Sequence, residues 1–148
     1  MEIYPDFRDL LALFNAHEVA YLVVGGYALA HHGVPRYTGD MDLYVEPSHA
    51  NAERIMAALE EFGFGDVGLA PEDFRLPRKV IQLGVSPVRV DIVTSIDGVD
   101  WPTAWAHREE AVYGNVRVPV IGRPQLVANK RAAGRGQDLA DLEALGDS

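Results

Sequence analysis

Asp40 and Asp42 stand two positions apart in a run that alternates acid with Met41, Leu43 and Val45, and Asp91 lies inside Val88-Arg89-Val90-Asp91-Ile92-Val93. In an extended strand residues i and i+2 leave the same face, so the first two carboxylates are predicted side by side with the apolar residues turned to a core. Asp91 shares its face with Arg89, opposite Val88, Val90 and Ile92. An acid in so apolar a strand needs a neighbouring metal ion, or Arg89, to offset its burial. Three oxygen ligands on adjacent strands, in a chain with no cysteine, suit hard Mg²⁺ or Mn²⁺ better than zinc. Two such ions about 3.5–4 Å apart can stabilise both the attacking and the leaving oxygen of a phosphoryl transfer. An isolated Asp-x-Asp is common by chance and more often caps a turn, so its company decides its meaning.

That company begins upstream. Gly25-Gly26 follows an apolar strand and opens a helix, which lets backbone N–H groups approach a triphosphate closely. It is not a P-loop, because no Gly-Lys-Ser/Thr follows at the required spacing, and it does not match the dinucleotide fingerprint. Between the glycines and the acids lies Pro35-Arg36-Tyr37-Thr38-Gly39, whose Arg36 can reach phosphate and whose Thr38 can order the approach to Asp40. Downstream, no acidic residue occurs between Glu110 and Asp138, while Arg117, Arg123, Lys130, Arg131 and Arg135 fall in that gap. A cationic strip on an acidic body suits a locally held phosphate, and a solvated basic helix face explains it as well. Adjacent residues His31 and His32 rarely converge on one ion, so these and His107 read as helix or surface residues. Trp101, Trp105 and Tyr113 read as core, Asp97 and Asp100 as turn residues around Gly98, and Ser95 carries no nucleophile motif.

These side chains need a scaffold, and 148 residues with 48% apolar and 24% charged content describe one packed domain. A net charge of −9 argues against a protein that coats nucleic acid with its whole surface. The absence of cysteine and of a basic-then-apolar start points to the cytoplasm, and Val19–Ala30, interrupted by Gly25-Gly26, is too short to span a membrane.

The pattern predicts a helix capped by Asp6 and running to His17, a strand at Val19–Val24, a short helix at Tyr27–His32 and a strand at Met41–Val45. Pro47-Ser48 opens a longer helix that stops at Gly63, and Val80–Val85 with Val88–Val93 form a hairpin across Ser86-Pro87. Val116–Ile121 reads as an edge strand because of Pro119. Helices at Pro124–Ala133 and Gln137–Leu145 close the chain, the last with Leu139, Leu142 and Leu145 inward. Strands and helices mix without strict alternation, which is the α+β or mixed α/β class.

With these pieces in order, VVGGYALAHHGVPRYTGDMDLYVEPS resembles the signature of polymerase β-like nucleotidyltransferases, and VRVDIVTSIDGVDW the segment bearing that family's third acid. LVANKRAAGRGQDLADLEAL resembles the closing motif of small bacterial members related to abortive-infection toxins, in which a Lys and a downstream Asp help hold the nucleotide. The resemblance spans most of the chain. It implies a nucleotidyltransferase fold, a central mixed β-sheet flanked by helices, as a single domain over residues 1–148. It implies Mg²⁺ (or Mn²⁺) as cofactor, an NTP as substrate, and transfer of the nucleoside monophosphate to a hydroxyl of RNA (tRNA among them), protein or a small molecule, with release of pyrophosphate. Asp40 and Asp42 would bind both ions, Asp91 the ion nearer the acceptor, and Lys130 and Asp138 the nucleotide alongside Gly25 and Gly26. Larger relatives carry an extra helical domain that shapes the acceptor site, a part that a partner protein, a second subunit or nothing at all would supply here. The rival implication is a catalytically silent nucleotide-binding or antitoxin-like module of a toxin–antitoxin system, against which the intact acids weigh.

Overall fold

The computed structural model describes residues 3–34, 39–65, 68–85 and 88–146. Helix α1 (Pro5–Ala16) buries Phe7, Leu10, Leu11 and Phe14 as one stripe. Its start differs from the expectation at Asp6: Tyr4 takes the cap position without a side-chain bond, and Pro5 in the first turn pre-sets the helical φ. Strand β1 (Tyr21–Val24) is buried on both faces, and α2 (Gly25–His31) follows it with no intervening loop. The Gly-Gly pair therefore opens the helix as expected, and forms its first turn two residues ahead of the predicted start at Tyr27.

Strand β2 (Asp40–Val45) leads to α3 (His49–Leu59), whose Ser48 cap accepts from the Asn51 N–H. A π-helical turn at Glu60–Phe64 ends this segment, with Gly63 at φ 109, a conformation that favours glycine. A one-turn helix α4 (Glu72–Arg75) buries Phe74. Strands β3 (Val80–Val85) and β4 (Val88–Val93) form the expected antiparallel hairpin. Helix α5 (Trp101–Ala106), capped by Asp100, and strand β5 (Glu109–Tyr113) fill the stretch left unassigned by pattern. Strand β6 (Val116–Val120) then leads to α6 (Arg123–Ala133) and α7 (Gly136–Ala144).

One mixed sheet holds all six strands in the order β3-β4-β2-β1-β6-β5. β6 is thus interior, not the edge strand Pro119 suggests. The reason is local. The Ile121 N–H donates to the Val23 carbonyl, so the Pro119 nitrogen, two residues earlier, faces β1 as well. β1 pairs with β6 only at Val23 opposite Val120, so no ladder bond is lost at the proline. The last helix also differs in rotation: Leu142 and Leu145 are buried, but Leu139 is 56% exposed, because Asp138 and Asp141 take the inward positions.

The core runs along both sides of the central strands, with Leu22, Leu43, Val45, Ile55 and Ile92 fully enclosed. Asn51 is a buried polar residue in it. Its side chain accepts from the Ala20 N–H at 2.7 Å and donates to the carbonyls of Ala20 and Glu46 at 3.0 Å each. It stitches α3 to the start of β1 and the end of β2. No described helix is long and apolar enough to cross a membrane.

Candidate active site

The pairing register explains why the three acids share one face of the sheet. β2 and β4 run parallel with Asp42 opposite Asp91 and Asp40 opposite Arg89, so all four side chains leave one face of the sheet. Met41, Leu43, Val90 and Ile92 point the other way and are buried. β1 runs antiparallel to β2 with Val24 opposite Asp42, which sets Gly25 directly above that carboxylate. Gly25 has φ 69, and a Cβ there would lie 2.9 Å from the Asp42 Cγ. Only glycine allows the helix to start so close to the acid.

Arg89 organises the acids. Its Nε donates to one Asp91 oxygen at 3.0 Å and its terminal nitrogen to the other at 2.9 Å, a bidentate pair. The same guanidinium lies 3.4 Å from Asp40. Among the described residues Asp42 has no such direct cationic partner. Burial, then repulsion from Asp91 and Asp40, pushes its carboxyl up to about 7, with Arg89 and Lys130 opposing. The described residues thus set three carboxylates around one guanidinium, a local field that favours a further cation.

Gly25, Gly26, Asp42, Lys130 and Asp138 line one open cleft of about 450 Å³, together with Gly39, Arg135, Gln137 and Asp141. Asp40 and Asp91 stand beside it on the same strand face. Arg36 and Thr38, the other two residues expected at the nucleotide, lie outside the described residues.

Lys130 is placed differently from a simple phosphate ligand. Leu126, one turn earlier on α6, is fully buried, and Lys130 itself is only 8% exposed. Its ammonium lies 2.9 Å from Asp141 and 3.3 Å from Asp138, both buried on α7. Arg135 bonds Asp138 through its side chain at 2.7 Å and its backbone N–H at 3.1 Å, which holds the Asp138 carboxyl below the usual range. Gln137 donates to Asp141 at 3.0 Å. α6 is located in turn by the Asp97-Gly98 turn: Asn129 donates to the Asp97 carbonyl at 2.9 Å, and a Cβ at Gly98 would strike Ala132.

Asp141 and Gln137 were not anticipated from sequence, and Arg135 only as one member of the basic strip. The available signal was the Asp138-x-x-Asp141 spacing, which puts two acids on the same helix face as Leu142 and Leu145, an odd place for charge unless a cation faces it. The basic strip does not form one surface. Arg117 pairs with Glu110 at the far end of the sheet, Arg123 bonds the Leu145 carbonyl, and only Lys130 and Arg135 reach the cleft. His31 and His32 lie at the C-terminal end of α2, the helix placement expected of them, and one ligand atom from each and one from Glu109 lie within 4.8 Å of one another. Trp101 is core as expected, packed edge-on against Tyr44 and stacked on Trp105.

No protein-family model matches the chain, and no curated protein matches it. Solved structures do. A Thermotoga maritima protein provisionally assigned as a nucleotidyltransferase aligns over 96% of this chain and 93% of its own, at TM-score 0.64 and 16% identity. The lincosamide antibiotic adenylyltransferase LnuA, solved with lincomycin bound, aligns over 99% of this chain and 98% of its own, at TM-score 0.58 and 14% identity. The antibiotic-resistance factor ANT(2'')-Ia aligns over 95% of this chain and 80% of its own, at TM-score 0.58 and 13% identity. The chain has the fold these proteins share, that of the nucleotidyltransferases.

Proposed function

We propose that this chain is a metal-dependent nucleotidyltransferase that moves a nucleoside monophosphate from an NTP to a hydroxyl acceptor. The observation that carries the reading is the register of β2 and β4, which sets Asp42 beside Asp91 and Asp40 beside Arg89 at the mouth of a cleft walled by Gly25, Gly26 and Lys130. Divalent ions fit there. The donors are hard oxygens, and burial together with repulsion from Asp91 and Asp40 raises the Asp42 carboxyl, which a bound cation would oppose. Asp40, Asp42 and Asp91 would hold Mg²⁺ or Mn²⁺, which when bound neutralises triphosphate charge and favours deprotonation of a hydroxyl.

The chain's own groups supply position and field. Gly25 and Gly26 offer backbone without side chains next to Asp42, so a triphosphate can lie against the start of α2. Lys130 and Arg135 place positive charge on the opposite wall, held in orientation by Asp138 and Asp141. Arg89 grips both oxygens of Asp91 and fixes the carboxylate that faces the acceptor. In the reaction the acceptor hydroxyl gives up its proton to solvent, its oxygen bonds to the α-phosphorus, the bond from that phosphorus to the α,β-bridging oxygen breaks, and pyrophosphate leaves with the electron pair. Positioning and charge stabilisation are what such a transfer requires.

Among RNA, protein and small molecules, a small-molecule hydroxyl is the acceptor best supported. LnuA is an antibiotic adenylyltransferase solved with its small molecule bound, and it aligns over nearly the whole length of both chains. A net charge of −9 also opposes docking of a polyanion.

The test is incubation with α-labelled NTPs, Mg²⁺ and fractionated cell extract, followed by separation of RNA, protein and small-molecule pools. Label should enter a pool only with divalent metal, and transfer should fall at least 100-fold in Asp40→Asn/Asp42→Asn and in Asp91→Asn. The double variant should also lose calorimetric Mg²⁺–nucleotide binding, which Asp91→Asn retains in large part. Wild-type transfer by these variants would remove the assignment.

A further inference from the structure

His31 ends α2, His32 caps it, and Glu109 begins β5, three residues that the nucleotide cleft does not use. The fold brings them together because the C-terminal end of α2 lies over the β5–β6 edge of the sheet. The His31 Nε2 sits 3.2 Å from a Glu109 oxygen, and the two imidazole rings stand edge to face at 4.8 Å. One ligand atom from each of the three residues lies within 4.8 Å of the others, and among the described residues this is the trio of His or acid side chains that converges so closely. The His32 ring is itself anchored: its Nε2 lies 2.8 Å from the Ile121 carbonyl. A carbonyl only accepts, so the proton is on Nε2 and the lone pair is on Nδ1. That is the arrangement in which a ligating histidine is oriented and kept in one tautomer by a backbone carbonyl.

We propose that His31, His32 and Glu109 form a second metal site, for a borderline transition ion of the Zn²⁺ class, distinct from the carboxylate site. Two imidazoles and one carboxylate are a donor set that suits Zn²⁺ and disfavours Mg²⁺. Metal–ligand bonds of about 2.0–2.2 Å at tetrahedral angles set ligand atoms about 3.3 Å apart. The His31–Glu109 spacing already has that value, and the wider gap in the trio closes by side-chain rotation at a surface where His31 and Glu109 are 26% and 47% exposed. Water completes the fourth position. The ion would tie the end of α2 to β5, and through His32 to the end of β6, so it would brace the helix whose other end, Gly25-Gly26, lines the nucleotide cleft.

Calorimetric titration of the full-length protein with Zn²⁺ in millimolar Mg²⁺, which occupies hard-oxygen sites, tests this directly. One equivalent should bind, with affinity reduced at least tenfold in His31→Ala and in Glu109→Gln and unchanged in Asp40→Asn/Asp42→Asn. Co²⁺ in place of Zn²⁺ should give the visible absorption of a four-coordinate nitrogen–oxygen site in the wild type, absent from His31→Ala. Zn²⁺ should raise the melting temperature of the wild type and of the Asp variant, and leave that of Glu109→Gln unmoved. Absence of saturable binding overturns the site. So does a Zn²⁺ titration of His31→Ala that superimposes on the wild type, or binding that disappears with the Asp pair and not with the His–Glu trio.

Discussion

Asp42 is the residue at which structure and chemistry pull hardest against each other. Its carboxyl is pushed from 3.8 up to about 7 by burial and by two neighbouring acids. Below about pH 4 both folded and unfolded chains hold this proton and it contributes nothing to the pH dependence. Between about pH 4 and 7 the unfolded chain releases the proton that the folded chain keeps, so metal-free stability must fall as pH rises through that window, by on the order of 4 kcal/mol from this group. Urea melts in chelator at pH 5 and pH 8 should show the decline, and Asp42→Asn should flatten it; parallel curves for the two proteins would contradict the cause given. Lys130 presents the opposite case, a charge already matched. Its ammonium is enclosed with Asp138 and Asp141. Lys130→Ala should therefore destabilise the protein by about 3 kcal/mol, because it removes the ammonium that faces two buried carboxylates. Lys130→Met, of similar length but neutral, should cost nearly as much in thermal melts, whereas a change confined to nucleotide affinity would mean that the ion pairs are dispensable to folding.

At the scale of elements, the strands that carry the acids were legible and the helices that face them were not fully so. Asp40-Met41-Asp42-Leu43 and Arg89-Val90-Asp91-Ile92 alternate with a period of two, so face and burial follow from one rule, and the register of β2 and β4 agrees with it. α5 and β5 escaped the reading because Trp101–Ala106 is a short helix and Glu109–Tyr113 exposes both glutamates, leaving no clear periodicity. α7 was placed but rotated wrongly, because an apolar-stripe argument assigns leucines inward and cannot anticipate that Lys130 on a neighbouring helix draws Asp138 and Asp141 to that side. The convergence of His31 and His32 with Glu109 depends on contacts 78 residues apart, which local spacing does not encode. Asn51 shows how much one such long-range contact holds. Its three bonds to the backbone of Ala20 and Glu46 join α3 to both β1 and β2. Asn51→Ala should lower stability by about 3 kcal/mol by leaving buried backbone groups unpaired, whereas Asn51→Asp should be worse, since it trades a donor for a buried charge. Denaturation midpoints that barely move would show that water reaches those groups.

For the whole molecule, the decisive quantity is the imbalance of charge. The chain carries −9 overall, and among the described residues the cations that line the cleft are Lys130 and Arg135, each already committed to carboxylates of α7. An NTP brought by divalent ions tolerates this field, because the ions arrive with it. A long polyanionic acceptor does not, since every additional phosphate approaches a negative surface without its own stoichiometric Mg²⁺. A small hydroxyl compound bearing amines is drawn by the same field. The rate of transfer to such an acceptor should therefore fall as ionic strength rises from about 0.05 to about 0.3 M, because screening over roughly a Debye length removes the attraction. With a neutral polyol of similar size kcat/KM should stay nearly flat, and any transfer to tRNA should be slowest at low salt and rise as repulsion is screened. Initial rates with the three acceptors across a salt series at fixed free Mg²⁺ decide the matter. Transfer to tRNA that is fastest at low salt would mean a local basic surface outweighs the net charge, and would move the acceptor from small molecule to nucleic acid.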